Sequence, residues 1–172
     1  IEKGGLTATG RQLIQMMESR GMVIDLAHSS PTAIDEILDM VTAPTVVSHG
    51  GVKGTCDNMR NISDAHIRRI AAGGGVVGIG YWEMAVCGIT PQHAVAAMQH
   101  VMSLVGEDHV ALGSDYDGGT TTGFDTSQLR VLTQAMFDAG MSETAVRKIL
   151  GANVLRVLRQ VLPIASSRAS TP

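Results

Sequence analysis

The sequence predicts an α/β protein built on a parallel sheet. Four short apolar runs rich in Val, Ile and Leu lack polar alternation, and a helical run separates each from the next. Polar residues follow the runs at their carboxyl ends. Strands that helices cover on both faces have this composition. The predicted strands are residues 22–26, 45–47, 76–79 and 109–112.

Capping residues and glycines mark the helices between these strands. A Ser or Thr at the N-cap accepts a hydrogen bond from the first helical turn, and Pro at the first helical position loses no hydrogen bond. Thr7, Ser30-Pro31, Ser63 and Thr90-Pro91 carry these signals. The predicted helices are residues 8–20, 31–41, 64–72, 91–105, 126–139 and 142–158.

The length of the chain limits the architecture. Its 172 residues match one domain. A complete (β/α)8 barrel takes roughly 250 residues, so four strand–helix units predict either a small open sheet or half a barrel. We expect a single α/β domain over residues 1–162 and a disordered tail over residues 163–172, which is rich in Ser and ends in Pro.

Composition excludes several classes of partner. The net charge is −3 and the basic residues are scattered, which argues against nucleic acid as a partner. No apolar run approaches the roughly 18–20 residues of a membrane span.

Cys56 and Cys87, the two cysteines, lack the spacing of a C-x-x-C motif. They are predicted to be free thiols in a reducing compartment, and we therefore expect a cytoplasmic location.

Two histidines end neighbouring strands. His28 follows the first strand and His49 ends the second, so their side chains are expected at the same edge of the sheet. Neutral imidazoles are common zinc ligands, and the pair predicts part of a metal site. The alternative is a structural pair that forms hydrogen bonds to neighbouring loops.

Asp115 and Arg60 are expected near the same edge. Asp115 ends the fourth strand and could bind a metal or transfer protons, whereas Asp117, beside Gly118, fits a turn better. An Asx turn is also the alternative for Asp115. Arg60 lies in the loop after the His49 strand, where its planar guanidinium suits a carboxylate. Its alternative is a solvated surface charge.

Five segments together resemble the membrane (renal) dipeptidase family of the amidohydrolase superfamily, in order and in approximate spacing. The segments extend over almost the entire chain, which makes the resemblance specific. They are Ile24-Asp25-Leu26-Ala27-His28, Val47-Ser48-His49, Arg60-Asn61-Ile62-Ser63-Asp64, Leu112-Gly113-Ser114-Asp115-Tyr116-Asp117-Gly118 and Gly151-Ala152-Asn153-Val154-Leu155-Arg156.

The resemblance implies a zinc-dependent dipeptidase with a TIM barrel, of which this chain corresponds to the carboxy-terminal half, strands five to eight. By resemblance, His28 and His49 bind one zinc of a bridged pair. Arg60 holds the carboxylate of the dipeptide substrate, and Asp115 serves the substrate amine and proton transfer.

The sequence also departs from this family. In members of this family, the first strand of the barrel carries a His-x-Asp pair, the third strand carries a glutamate that bridges the metals, and the fourth strand carries another histidine. None of the six histidines here precedes Asp by two residues, and no glutamate ends an early strand. We therefore expect a partial zinc site, inactivity of the chain alone, and either self-association or a complementary amino-terminal half. The alternatives are another amidohydrolase, such as a lactonase or deacetylase, and a catalytically dead half-barrel scaffold.

Overall fold

The computed structural model describes residues 4–163, so the predicted tail lies outside the described residues except for Pro163. Most predicted helices are confirmed within one or two residues. The hydroxyls of Thr7, Ser30 and Ser63 cap their helices as predicted, for example Ser30 Oγ, which accepts from Ala33 N at 3.1 Å. The prediction for Thr90 is wrong, because its side chain accepts no hydrogen bond from the backbone of the helix that it begins. The helices are α1 (Ala8–Ser19), α2 (Pro31–Met40), α3 (Asp64–Ala72), α4 (Glu83–Val86), α5 (Pro91–Val105), α6 (Arg130–Asp138), α7 (Glu143–Arg147) and α8 (Asn153–Val161).

The described chain contains one parallel sheet of three strands in the order β1-β2-β3. These are β1 (Val46–Gly50), β2 (Val76–Ile79) and β3 (Val110–Leu112). Val47 pairs with Val77, and Val77 pairs in turn with Val110. Parallel neighbours bring the carboxyl ends of all three strands to one edge of the sheet.

The prediction of a strand over residues 22–26 is wrong, because this segment forms only an isolated bridge between Asp25 and Val46. Two hydrogen bonds support that bridge, Leu26 N to Val46 O and Val46 N to Ile24 O. The ladder stops there because the next amide, Ser48 N, donates to the Asp25 carboxylate at 2.9 Å instead of to a backbone carbonyl. The carbonyl of Leu26 accepts from Ser29 N, so the chain turns away.

The predicted helix over residues 142–158 is interrupted. A wide helical turn, Lys148–Ala152, separates α7 from α8, and the backbone kinks at Gly151 (φ 170°). The buried side chain of Asn153 then donates to the carbonyls of Glu107 and Val110, both at 2.8 Å. These bonds attach the start of α8 to the beginning of β3. The predicted helix over residues 126–139 likewise begins as a separate 3₁₀ turn, Thr126–Gln128, before α6.

The two faces of the sheet are covered unequally. Val47, Val77 and Val110 join the main core, which includes the apolar faces of α3 and α5. The alternate residues Val76 and Ala111 point to the other face and pack in a much smaller cluster that includes residues of α8. None of the helices in the described part of the chain combines the length and the apolar character that a membrane crossing requires.

The prediction that both cysteines are free thiols is wrong. Cys56 and Cys87 form a disulfide, with Cα atoms 5.4 Å apart although 31 residues separate them in the chain. The bond joins the loop after β1 to the residue that ends α4. Spacing in the sequence does not show such proximity, because the two loops meet only in the folded chain. The reason for expecting a reducing compartment therefore no longer applies.

Candidate active site

His28 and His49 meet at the carboxyl edge of the sheet. Their Nε2 atoms lie 2.9 Å apart; His49 is partly buried and His28 is exposed. His49 belongs to β1, whereas His28 follows the Asp25 bridge in the left-handed conformation (φ 63°), which is uncommon for a residue with a Cβ atom. Ser48 Oγ lies 2.8 Å from Nδ1 of His49. A proton on Nδ1, donated to Ser48, leaves the Nε2 lone pair free for a metal.

Asp25 connects the two segments that carry these histidines. Its Oδ1 atom accepts from Ala27 N at 3.0 Å and from Ser48 N at 2.9 Å. One carboxylate therefore fixes the backbone directly before His28 and directly before His49. Sequence reasoning treated Asp25 as a strand residue. A single acid within the apolar run 22–26 was the signal that could have revealed this role.

Asp115 faces the histidine pair. Its Oδ2 atom lies 3.9 Å from Nε2 of His49, and its side chain is 18% exposed. Asp117 is exposed in the following turn. The strand ends at Leu112, as predicted, but Asp115 does not itself end it: Asp115 lies in the loop beyond β3 and has a left-handed backbone (φ 53°). Its carbonyl accepts from Gly118 N and from the Thr120 hydroxyl, which fixes the turn.

Arg60 reaches the same edge from the loop between β1 and α3. Its Nη2 atom lies 3.3 Å from Nε2 of His28, and the residue is partly buried, unlike a solvated surface charge. Burial lowers the pKa of Arg60, but Asp115 and Asp25 oppose this shift. The guanidinium, followed by burial and by His49, lowers the pKa of His28. These effects favour the neutral form of His28, which metal binding requires, while Asp115 and Asp25 act in the opposite direction.

Trp82 completes this edge and was missed by the sequence analysis. The indole lies between two site residues: its centroid is 6.2 Å from that of His49 and 5.9 Å from the guanidinium carbon of Arg60. Trp82 is only 7% exposed, so it forms a wall of the site. The available signal was its place shortly after β2, as the only tryptophan of the chain.

The residues present fit part of a metal site. Two nitrogen ligands of one tetrahedral zinc ion, each at roughly 2.0–2.1 Å, lie about 3.3 Å apart, so the 2.9 Å between His28 and His49 needs to widen only slightly. Within residues 4–163, no group of three or more His, Cys, Asp or Glu side chains could hold an ion. Arg60 also contacts Nε2 of His28, so a cation bound there excludes that contact. The pair thus supplies two ligands, fewer than the three usual for catalytic zinc.

Comparisons with known proteins identify the family of the chain. The family profile described as membrane dipeptidase, peptidase family M19, matches residues 1–171. Dipeptidase tcpJ of Claviceps purpurea is 34% identical over 175 residues, covering 95% of this chain and 40% of that protein. Human dipeptidase 3 is 31% identical over 178 residues, covering 98% of this chain and 36% of that protein.

A solved structure extends the likeness to the fold. The crystal structure of a metallopeptidase from Rhodobacter sphaeroides, liganded with a phosphinate mimic of the dipeptide L-Ala-D-Ala, superposes with a TM-score of 0.86 at 26% identity. The match covers 91% of this chain and 47% of that one. This chain thus spans less than half the length of each of these three relatives. It belongs to the membrane dipeptidase family, peptidase family M19.

Proposed function

We propose that this protein hydrolyses dipeptides with the aid of bound zinc ions. The observation that carries the proposal is that His28, His49 and Asp115 converge. The Nε2 atoms of the two histidines lie 2.9 Å apart, and Oδ2 of Asp115 lies 3.9 Å from Nε2 of His49. The guanidinium of Arg60 lies beside them, 3.3 Å from Nε2 of His28. Membership of the membrane dipeptidase family supports dipeptides as the substrate class.

His28 and His49 would hold one zinc ion through their Nε2 atoms. When bound, zinc polarises a carbonyl and lowers the pKa of a water molecule, which makes hydrolysis feasible at neutral pH. Ser48 and Asp25 support the two ligands, one through Nδ1 of His49 and the other through the backbone. Such supporting contacts set the tautomer and orientation of a ligand.

Arg60 would bind the carboxylate of the dipeptide. A guanidinium presents two parallel N–H donors, which match the two oxygens of a carboxylate. Packing against Trp82 restricts the orientations of the guanidinium before substrate arrives. A metal bound to Nε2 of His28 would displace the guanidinium from this contact but leave it on the same side of the site, so the substrate's peptide bond would lie between Arg60 and the metal.

Asp115 would accept a proton at Oδ2 and return it to the leaving amine. A carboxylate is a suitable general base when it lies close to the attacking water, and Oδ2 lies 3.9 Å from Nε2 of His49. The same carboxylate is negatively charged and can attract the free amino group of a dipeptide. Asp117, which is exposed, has no comparable position.

We further propose that the chain is the carboxy-terminal half of a (β/α)8 barrel, strands five to eight, and works together with an amino-terminal half or a second copy. Two histidines leave the zinc short of ligands. The less covered face of the sheet also has an apolar cavity of about 280 Å³, lined by Val46, Val76, Ala111 and Leu158 among others. Exposed apolar surface of this kind favours association.

Zinc content and dipeptide turnover test the function. We expect the chain alone to bind zinc weakly, and addition of the amino-terminal half of a relative to tighten binding by orders of magnitude and to give turnover. Replacing His28 and His49 with Ala should abolish both. Tight zinc binding that survives this double replacement contradicts the assignment of the ligands.

Two alternatives remain as outcomes of the same experiment. A catalytically dead scaffold would bind no zinc tightly in either form. Another amidohydrolase would bind zinc but cleave a lactone or an N-acetyl group in preference to a dipeptide. Sedimentation separately tests association: a well-behaved monomer with a two-state melt would contradict it.

A further inference from the structure

The loop that carries Arg60 is attached to the segment containing α4. The disulfide joins Cys56 in this loop to Cys87 at the end of α4. The buried side chain of Asn61 donates to the carbonyls of Cys56 (2.7 Å) and Ala85 (2.9 Å). Gly51, at the start of the loop, packs so closely on the Ala85 carbonyl that no Cβ atom would fit. The loop and α4 therefore form one connected unit.

Asn58 connects this unit directly to the backbone of Arg60. Its Nδ2 atom donates to the carbonyl of Met84 at 2.8 Å. Its Oδ1 atom accepts from Arg60 N at 2.9 Å and from Asn61 N at 3.2 Å. A single amide side chain thus satisfies the two backbone amides at Arg60 and Asn61 and attaches them to α4.

The same short segment also holds the other end of Arg60. Trp82 directly precedes α4, and its ring lies 5.9 Å from the guanidinium carbon. The backbone of Arg60 is therefore fixed through Asn58 to Met84. Its guanidinium packs on Trp82, two positions before Met84. Fixing both ends of a long side chain reduces the entropy that is lost when it binds a ligand.

We propose that Asn58 is a positioning residue for Arg60, which fixes the guanidinium over Trp82 in the orientation that receives a substrate carboxylate. This inference rests on the carboxylate-binding role proposed above for Arg60. Asn58 touches neither His28 nor His49, and it acts only through the loop. Asn58 is partly exposed, so we expect its replacement to leave the fold intact.

The fluorescence of Trp82, the only tryptophan, tests the proposal without substrate or metal. Arg60→Ala supplies the spectrum of an indole without its guanidinium. We expect Asn58→Ala to shift the emission toward that spectrum, and Arg60→Ala added to Asn58→Ala to give little further change. The neighbouring Asp57→Ala, whose side chain is 81% exposed, is the matched control and should leave the spectrum unchanged. The proposal would be overturned if Asn58→Ala had the emission spectrum of the wild type. It would also be overturned if the double variant shifted by the sum of the shifts of Asn58→Ala and Arg60→Ala.

Kinetics supply the second readout. Asn58→Ala should raise KM for a dipeptide by about three- to tenfold, the cost of reordering one loosened side chain, with kcat nearly unchanged. KM for the corresponding dipeptide amide should not change. Asn58→Asp keeps the oxygen that accepts from Arg60 N, so its KM for the dipeptide should lie between those of the wild type and Asn58→Ala. Equal KM values for Asn58→Ala and Asp57→Ala would refute the positioning role. If no dipeptide is turned over at all, the proposed function fails, while the spectra still decide the role of Asn58.

Discussion

The carboxylate of Asp115 occupies the space in which a side chain at position 118 would begin. Gly118 has no Cβ atom, so the carboxylate can rest against it. The backbone amide of Gly118 also donates to the carbonyl of Asp115 at 3.0 Å. The turn after β3 can therefore hold the carboxylate of Asp115, the proposed general base, in this orientation only because Gly118 has no side chain.

Gly118→Ala should displace the Asp115 carboxylate and lower kcat by on the order of 10²-fold, because small misplacements of a reacting group are costly. The assembled enzyme and a dipeptide substrate serve for the measurement. Gly119→Ala is the matched control: its Cβ meets nothing within 4 Å, but its left-handed backbone (φ 70°) makes it less stable by about 1 kcal/mol. Equal turnover in the two variants would contradict a positional role for Gly118.

Asp115→Asn should lower turnover by roughly 10²–10⁴-fold, the usual contribution of a general base, with the fold intact. Asp117→Asn should cost far less, since Asp117 is exposed in the turn. Steady-state kinetics with circular dichroism as the folding check decide between them. The reverse ranking would assign the proton transfer to Asp117.

Arg60→Lys should raise KM for a dipeptide by about tenfold, because a lysine cannot form two parallel hydrogen bonds to a carboxylate. Zinc content should stay the same. The exposed Arg68→Lys on α3 is the matched control and should behave like the wild type. Equal kcat/KM of the wild type for a dipeptide and its amide would show that Arg60 binds no carboxylate.

Glu18 links α1 to the loop after α2 and should make stability depend on pH. Its Oε1 accepts from Ala43 N (2.9 Å), Thr42 N (2.6 Å) and the Thr42 hydroxyl (3.0 Å). The Ala43 amide is the largest cause that lowers the pKa of Glu18 in the folded protein. Its stabilising effect is therefore complete above the ordinary pKa of about 4.5 and is lost as the pH falls through the lower folded value.

Glu18→Gln should accordingly lower the free energy of unfolding by about 1 kcal/mol at pH 7, a modest amount because the carboxylate is partly exposed. Below about pH 4.5, the free energy of unfolding should decrease less steeply with falling pH in this variant than in the wild type. Urea titrations at several pH values measure both effects. Glu143→Gln is the control, because its surface ion pair with Arg147 contributes about 0.3–0.5 kcal/mol at most. An unchanged slope in Glu18→Gln would contradict this role.

Reduction of the Cys56–Cys87 disulfide should lower the free energy of unfolding by about 3.7 kcal/mol, since the bond closes a loop of some 30 residues in the unfolded chain. Urea titrations with and without a reductant measure the difference. The double variant Cys56→Ala, Cys87→Ala should be as unstable as the reduced protein and insensitive to reductant. Sensitivity of the double variant to reductant would show that another effect is being measured.

Local signals in the sequence predicted most of the fold. Hydroxyl caps such as Ser30 and Ser63 act within one helical turn, so the helices that they start were predicted correctly. Residues 22–26 were predicted wrongly because the Asp25 carboxylate takes the amide that would extend the ladder. The kink at Gly151 was also missed, since one glycine does not reveal where a helix bends.

The candidate site was predicted in part for the same reason. His28, His49 and Asp115 lie at the carboxyl ends of the Asp25 bridge, β1 and β3, and the parallel arrangement brings their side chains together. Trp82 and Asn58 were not predicted, because their roles depend on how two loops pack and not on any spacing within the chain. Their proximity to Arg60 required the structure.

The Cys56–Cys87 bond closes a ring of the chain that contains α3 and β2. A protease that cuts once within this ring, for example beside the exposed Met59, leaves both pieces in one covalent molecule. The nicked protein would keep its mass on a denaturing gel without reductant and separate into two bands only after reduction. Damage to the Arg60 loop would thus remain invisible in any purity check that omits the reducing agent.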